Sequence, residues 1–138
     1  MAHQNDPEVV SRLLSTPARW AVVGLSTNPH RVAMRISRYL MDQLDMEVVP
    51  VNLQGDDVHG LTGYRKLADI PGQIDVVDCF VNSQKVGPVV DQAIEVGAKA
   101  VWLQLGVVDE AAAERAKAAG LEVVMDTCPA IEAPRLGL

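Results

Sequence analysis

Residues 20–31 read WAVVGLSTNPHR, and this stretch decides the fold. Trp20–Leu25 is an apolar run interrupted by one glycine, which predicts a buried strand, and a segment with helical periodicity begins just after Arg31. A strand that passes through a short turn into a helix is how nucleotide-binding α/β domains form a phosphate-binding loop. The dinucleotide fingerprint has two further glycines in this turn, whereas here Gly24 stands alone. The stretch therefore predicts a phosphate-binding loop and leaves the kind of phosphate open.

Apolar runs and helical periodicities alternate along the rest of the chain. The pattern predicts strands at 20–25, 47–51, 74–81, 99–105 and 121–126, and helices from Pro7 to the Thr16–Pro17 break, at 32–44, 83–96 and 109–119, and near the C-terminus. The connection over 52–72 is irregular, with a short extended piece near 59–64 and a helical turn near 66–70. Strands such as VVDCFV and AVWLQL are nearly continuous apolar runs, as in parallel sheets covered on both faces. We therefore expect an α/β, Rossmann-like, doubly wound and mostly parallel sheet of five or six strands with helices on both faces.

Composition narrows the class of protein. The chain has 138 residues, which predicts a single domain over 1–138 in which residues 1–17 form an N-terminal helical extension. A net charge of −6 argues against a nucleic-acid partner. No apolar run is long enough for a membrane span and the N-terminus does not resemble a secretory signal, so we expect a cytoplasmic protein without a membrane partner. Apolar residues on the first helix leave a homodimer open.

The predicted sheet brings five loops to one edge. In doubly wound sheets, ligands bind beyond the carboxyl ends of the strands, where the strand order reverses. The loops at that edge are 24–31, 50–54, 80–85, 104–107 and 126–130. Backbone amides of the first loop, the positive end of the helix that follows it and the Arg31 side chain favour an anionic ligand there. Arg35 is expected on a solvated helix face.

Several chemistries are disfavoured by the same loops. The second and third glycines of an NAD site are replaced by Ser26 and Pro29, and the second strand ends in Val51-Asn52 without a ribose-binding acid. GLSTN imitates a nucleophile elbow, but no histidine follows His59 to act as the general base. Ser26 is thus interpreted as a hydroxyl donor in the turn.

Candidate metal ligands and acids are scattered. The histidines His3, His30 and His59 lie on separate loops, and the two cysteines, Cys79 and Cys128, have no metal-ligand spacing. Asp75 and Asp78 fall on one predicted strand, with Asp78 the deeper. Because an unpaired buried charge is costly, Asp78 is expected to have hydrogen-bond partners and to fix neighbouring loops.

Four segments carry a resemblance to a known family. They are VVGLSTNPHR, YLMDQLDMEVVPVN, DVVDCFVNSQKV and GAKAVWLQLGVVDEAAAERAKAAGLEVVMDTCPAIEAPRL, which cover most of the chain after Trp20. The WLQLG and VVMD-x-C-P segments are the most specific. The sequence resembles the stand-alone CoA-binding-domain family, whose members are similar to the N-terminal CoA-binding domain of the succinyl-CoA synthetase α subunit.

The resemblance implies coenzyme A, or an acyl-CoA, as the ligand. It assigns the phosphates to Gly24, Ser26, Asn28 and Arg31, the adenosine to Pro50, Val51 and Asn52, the adenine or the start of the pantetheine arm to Phe80 and Val81, and the rest of the arm to Gln104 and Gly106. Family members often carry arginine where this chain has Val81 and Thr127. Ligase chemistry in the synthetase depends on a second domain and a partner subunit, so no ligase activity is expected here.

Three functions remain open at this point. The first is non-catalytic binding of CoA or an acyl-CoA by a carrier or sensor. The second is an enzyme that uses NAD(P) or another nucleotide, and the third is an interaction protein with a vestigial pocket. Cys128, which follows the last strand, could also form a mixed disulfide with the thiol of CoA.

Overall fold

The computed structural model describes residues 2–138. The strands are β1 (Arg19–Val23), β2 (Glu47–Val51), β3 (Val76–Cys79), β4 (Ala100–Leu103) and β5 (Glu122–Val124). The α-helices are α1 (Pro7–Ser15), α2 (Val32–Leu44), α3 (Val86–Glu95), α4 (Glu110–Ala118) and α5 (Pro129–Arg135), and a single 3-10 turn covers Leu67–Asp69. The alternation of strands and helices that the sequence predicts is confirmed.

The five strands form one sheet in the order β2-β1-β3-β4-β5. All four strand pairs are parallel, so the fold is a Rossmann-like doubly wound sheet with five strands. The chain runs outward from β1 to β2, then returns past β1 to place β3 on its other side. The strand order therefore reverses between β1 and β3, which is where ligands bind in folds of this kind.

Alternate residues of each strand point to opposite faces of the sheet, and each face has its own core. Ala21, Val77 and Val101 pack with α3, α4 and the 3-10 turn. Trp20, Val76 and Trp102 pack on the other face with α1, α2 and α5. Both layers close over apolar side chains, which explains why the central strands are almost entirely apolar, with Asp78 as the exception in β3.

Helix α1 joins the second of these cores. Asp6 caps it by accepting a hydrogen bond from the Glu8 amide, and Pro7 occupies its first turn. Val10 and Leu14, one helical turn apart, are both buried in the core beside α5 and β5. The apolar face of α1 is therefore covered within the chain.

Four strands, β1, β3, β4 and β5, are shorter than the sequence predicts. The apolar run of β4 continues to Leu105, but strand pairing ends at Leu103, and Leu105 is 61% exposed. The run of β3 likewise continues to Val81 beyond the last paired residue, Cys79. Apolar composition alone cannot mark these ends, because the chain remains apolar where it leaves the sheet to line a cavity.

Two features bear on the class of protein. Among residues 2–138, no helix combines the length and the apolarity that a membrane span requires. Over the same residues, no group of three or more histidine, cysteine, aspartate and glutamate side chains is placed to hold a metal ion.

Candidate functional site

Gly24 follows β1 at the point where the strand order reverses. Its amide donates to the Val51 carbonyl at 2.8 Å, and its φ of +97° lies in the left-handed region. A Cβ at this position would lie 2.5 Å from the Phe80 carbonyl oxygen, well inside van der Waals contact. Glycine is therefore required both by its conformation and by the close approach of the segment after β3.

The loop from Ser26 to Arg31 is held by its own side chains. The Asn28 amide donates to Ser26 Oγ at 3.3 Å, and the His30 amide donates to Asn28 Oδ1 at 3.0 Å. The Arg31 amide donates to the Asn28 carbonyl at 3.2 Å and leads into α2. Ser26 and Asn28 thus shape the loop, while the Ser26 hydroxyl hydrogen remains available to a ligand.

Two cavities open along this edge of the sheet and meet. The loop cavity, about 660 Å³, is lined by the loops after β1, β2 and β3, among them Gly24, Ser26, Asn28 and Asn52. The helix cavity, about 580 Å³, lies between the start of α2, the ends of β3 and β4, and α5. Arg31, Phe80, Val81 and Asn82 line both cavities, and we refer to these four residues as the junction. Each volume is within the range typical of small-molecule sites.

Asn52 braces the loop cavity. It is buried, and its Nδ2 donates to the Leu25 carbonyl at 3.0 Å and to the Asp56 carbonyl at 2.9 Å. Its Oδ1 accepts from the Asp56 amide at 2.9 Å. The side chain therefore ties the loop after β1 to the loop after β2 and fixes the shape of the cavity.

Arg31 is the cation at the junction. Its Nη2 donates to the Phe80 carbonyl at 3.4 Å, and the side chain makes no ion pair within the described part of the chain. Arg31 is also the N-cap of α2 and makes no side-chain cap, so no side chain at the N-cap satisfies the first-turn amides of this 13-residue helix. Cation and helix end together provide a site for a negatively charged group.

The basic residues fall into two groups. Of the twelve lysines and arginines, seven form ion pairs with carboxylates: Arg12, Arg19, Arg38, Lys99, Arg115, Lys117 and Arg135. The other five form none within residues 2–138: Arg31, Arg35, Arg65, Lys66 and Lys85. Arg31, Arg35 and Lys85 line the cavities, and Arg65 donates to the carbonyl of Gln54 in the wall of the loop cavity. In an acidic protein, four of these five unpaired basic side chains thus lie at this edge of the sheet.

Three of the residues assigned by resemblance do not line either cavity. Pro50 and Val51 are buried within β2, where their carbonyls accept from the amides of Tyr64 and Gly24. Gly106 follows the exposed Leu105, and its amide donates to Asp126 Oδ1 at 2.7 Å. A role for these three residues in ligand contact remains a prediction; the structure gives them roles in holding the loops.

The cavities also contain residues that the sequence does not single out. Lys85 and Asp56 line the loop cavity, and Leu105 and Ile131 line the helix cavity. Arg35, which the sequence places on a solvated helix face, is exposed and also lines the helix cavity. Its spacing of one helical turn from Arg31 is the signal that could have identified it.

Asp78 contradicts the expectation that it has hydrogen-bond partners. It is fully buried, and neither carboxylate oxygen has a partner within residues 2–138. Burial raises its pKa well above the usual range of a carboxyl group. The register places it between Val22 and Trp102, on the apolar face that also carries Phe80. The predicted hydrogen-bonding role belongs to Asp75, which precedes β3 and accepts from the Arg19 amide at 2.8 Å.

The two cysteines differ in their surroundings. Cys79 is fully buried in β3, and burial raises the pKa of its thiol, with a further contribution from Asp78. Cys128 is the N-cap residue of α5 and lines the helix cavity. Only Cys128 therefore borders the space that a ligand would enter.

The positions where the resembling family often has arginine also differ. Val81 is half-buried in the junction. Thr127 is buried outside both cavities: its hydroxyl donates to Glu132, and its carbonyl accepts from Trp102 Nε1 at 2.9 Å. The missing cation at position 81 therefore affects the cavities directly, whereas the one at position 127 does not.

Ser37 and His59 form a pair away from these cavities. Ser37 Oγ donates to the Met34 carbonyl at 3.0 Å and lies 2.9 Å from His59 Nε2. The serine is fully buried, and its hydroxyl hydrogen is already used. Burial, followed by the charge of Arg38, lowers the pKa of His59. This pair fastens the loop after β2 to α2.

Comparison with known proteins agrees with the geometry of this edge. The model of the CoA binding domain family matches residues 18–134. The chain belongs to the CoA-binding domain family. The matched range begins just before β1 and ends within α5, so it contains both cavities and leaves α1 outside.

Two proteins of similar length share most of the chain. The Bacillus subtilis protein YneT, described as uncharacterized, is 34% identical over 119 residues, which cover 86% of this chain and 87% of YneT. The structure of a hypothetical protein from Pyrococcus horikoshii OT3 is 34% identical, covers 100% of both chains and superposes with a TM-score of 0.89. The fold is thus shared over its full length.

A third relative is much longer. The α subunit of acetate–CoA ligase [ADP-forming] II from Pyrococcus furiosus is 28% identical over 85 residues. The match covers 62% of this chain but only 19% of the subunit. The similarity therefore concerns one part of that ligase.

Proposed function

We infer that the protein binds coenzyme A across the two adjacent cavities and does not itself catalyse a reaction. The observation that carries this proposal is that four of the five basic side chains without an ion pair in residues 2–138, namely Arg31, Arg35, Arg65 and Lys85, lie at the edge of the sheet where the cavities open. Membership of the CoA-binding domain family and similarity to a CoA ligase subunit support the same ligand.

The chemistry of the walls fits CoA. The ligand carries a diphosphate and a 3′-phosphate, which match Arg31, Lys85 and the amides at the start of α2. Gly24 lets the backbone approach closely at the point where strand order reverses. Gln104, in the wall of the helix cavity, is buried, and its Oε1 has no partner among residues 2–138, so it can accept an amide hydrogen from the pantetheine arm.

Two side chains that could act as nucleophiles, Ser37 and Cys79, are not placed to react with a ligand. The Ser37 hydroxyl is buried and donates to the Met34 carbonyl. The Cys79 thiol is buried inside the sheet, and its pKa is raised by that burial. These observations favour binding by a carrier or sensor over catalysis. Incubation with acetyl-CoA should accordingly release no free thiol beyond the uncatalysed rate.

Calorimetry with CoA tests the proposal. Arg31→Ala should weaken CoA binding about tenfold, because it removes a charge-assisted contact to phosphate. Arg38→Ala is the matched control: Arg38 lies on the same helix, is exposed and is already paired with Asp42, so its removal should leave the affinity unchanged. Equal losses in both variants would indicate nonspecific attraction by α2 and would contradict a site at the junction.

A thermal-shift panel separates the alternatives. CoA should raise the midpoint of unfolding, because a ligand that binds only the folded state stabilises it. If NAD or ATP stabilised the protein and CoA did not, the nucleotide-dependent enzyme would replace CoA binding as the function. If no nucleotide stabilised it, an interaction protein with a vestigial pocket would be the better account.

A further inference from the structure

The helix cavity has an exposed apolar rim. Val32 is 53% exposed, Leu105 61% and Ile131 37%, and all three line this cavity. They come from separate parts of the chain: the start of α2, the loop after β4, and α5. Single exposed apolar side chains are ordinary on a protein surface, whereas a group of them around one cavity indicates a surface that an apolar partner covers.

The interior of the helix cavity continues this apolar surface. Phe80, Val107 and Cys128, which are buried, line it along with Ala33 and Ala130. Gln104 is the polar exception among the buried lining residues, and the lack of a partner for its Oε1 leaves one acceptor to be satisfied. An apolar cavity with one fixed acceptor suits a ligand that combines an aliphatic chain with an N–H donor.

The position of this cavity decides which ligand that is. It meets the loop cavity at the junction, where Arg31 and the start of α2 provide the site for phosphate. A molecule that is anionic at one end, carries amides in the middle and is aliphatic at the other end would satisfy the junction, Gln104 and the rim together. An acyl-CoA has these three parts in this order, whereas free CoA ends in a thiol and leaves the rim uncovered.

We propose that the helix cavity binds the acyl group of a CoA thioester, and that aliphatic acyl-CoAs rather than free CoA are the preferred ligands. The proposal rests on the CoA binding inferred above. Val32, Leu105 and Ile131 contact the acyl chain, and the pantetheine arm lies along Gln104. Each methylene that the rim covers then contributes to affinity, because it leaves water together with the side chain it contacts.

A chain-length series is the test. Affinities for CoA, acetyl-CoA, butyryl-CoA, hexanoyl-CoA and octanoyl-CoA are measured by calorimetry, below the concentrations at which the thioesters associate. Octanoyl-CoA should bind at least about tenfold more tightly than acetyl-CoA, since the burial of two methylenes already accounts for that factor. If CoA binds and the series is flat, this inference is overturned and CoA binding stands. If no member of the series binds, the proposed function is overturned as well.

Surface variants locate the acyl chain. The double variant Leu105→Ser with Ile131→Ser should remove most of the dependence on chain length, and should lower the affinity for free CoA much less than the affinity for octanoyl-CoA. Neither side chain belongs to the two buried cores of the sheet, so the serine variants should fold. Leu53→Ser is the matched control, because Leu53 is 96% exposed and lines only the loop cavity. A chain-length dependence that survives the double variant would place the acyl group elsewhere and overturn the assignment.

Discussion

The loop cavity and the helix cavity meet at the junction but are built from different chemistry. The wall of the loop cavity consists mainly of turns, and its residues carry hydroxyls, amides and the cation of Lys85. The wall of the helix cavity comes mainly from strand ends and helices, and apolar side chains predominate in it. The first is suited to charged and hydrogen-bonding groups, and the second to apolar ones.

The difference follows from the way the chain leaves the sheet. After β1 and β2 the chain enters polar turns, and Asn52 holds these turns together. After β3 and β4 the apolar runs continue past the last paired residues, to Val81 and Leu105. The same parallel sheet thus places a polar and an apolar site side by side, with Arg31 and the start of α2 between them.

Gly24→Ala should have the largest effect on stability and binding, because Gly24 lines the loop cavity and contacts the segment after β3. The new Cβ would overlap the Phe80 carbonyl, and alanine would have to adopt a φ of +97°. We expect a loss of about 3–5 kcal/mol in the free energy of unfolding, from strain and overlap together. Since Arg31 donates to the displaced Phe80 carbonyl, CoA binding should also be lost. Urea unfolding and calorimetry measure the two effects.

Gly120→Ala provides the control for backbone conformation. Gly120 has a φ of +89°, and a Cβ there would have nothing within 4 Å. The variant should lose only about 1 kcal/mol and should bind CoA normally. A similar loss of stability in both variants would show that backbone strain, rather than the approach of Phe80, makes Gly24 necessary.

Asp78 lies between Val22 and Trp102 in the sheet and interrupts the apolar core that also contains Phe80. Its pKa is raised in the folded protein by burial, while in the unfolded chain it is near the ordinary value of about 4. The stabilisation associated with its protonated form is complete below about pH 4 and is lost as the pH rises toward the folded pKa. In that window the folded state holds a proton that the unfolded state has released.

Asp78→Asn should remove this dependence. Asparagine has nearly the same shape and does not titrate, so relative to wild type the variant should gain about 1.4 kcal/mol in the free energy of unfolding for each pH unit within the window. Urea unfolding at pH 5, 6 and 7 measures the difference. Asp75→Asn serves as the comparison at a carboxylate that does have partners. Asp75 accepts a hydrogen bond from the Arg19 amide and is paired with Lys99. A stability difference for Asp78→Asn that does not change with pH would mean that Asp78 is ionised in the folded protein.

The sequence predicts most of the fold because local patterns determine it. The spacing of Ile36, Leu40 and Leu44 sets the bounds of α2, and the bounds of β2 are also those predicted. The ends of β3 and β4 are not predictable in this way, since pairing stops while the apolar run continues. Strand ends depend on when neighbouring strands diverge, which is a property of the whole sheet.

The candidate site is less predictable, because it depends on which groups lack partners. The turn after β1 identifies Gly24 and Arg31, and resemblance adds Gln104. That Arg35 and Lys85 form no ion pair in the described part of the chain, while Arg38 pairs with Asp42, follows only from the folded arrangement. The sequence also does not reveal that the Asp78 carboxylate lacks hydrogen-bond partners among residues 2–138. Because burying an unpaired charge is costly, the sequence favours the expectation that it has partners.

Val81→Arg should change CoA affinity by the smallest amount. It tests most directly whether the two cavities differ in chemistry. Val81 is half-buried in the junction, so an arginine there adds a cation beside Arg31. We expect CoA to bind about fivefold more tightly at low salt, which corresponds to about 1 kcal/mol, with a smaller gain at high salt. The advantage of octanoyl-CoA over CoA should decrease, because the charge makes the entrance to the helix cavity less apolar.

Val108→Arg is the control for net charge. Val108 is exposed and lines neither cavity, so this variant adds the same charge away from the junction. Its effect on CoA affinity should be slight and should vanish at high salt. Equal gains from the two substitutions would mean that overall charge, rather than a phosphate at the junction, governs binding. A gain from Val81→Arg alone would place the anionic part of the ligand where the two cavities meet.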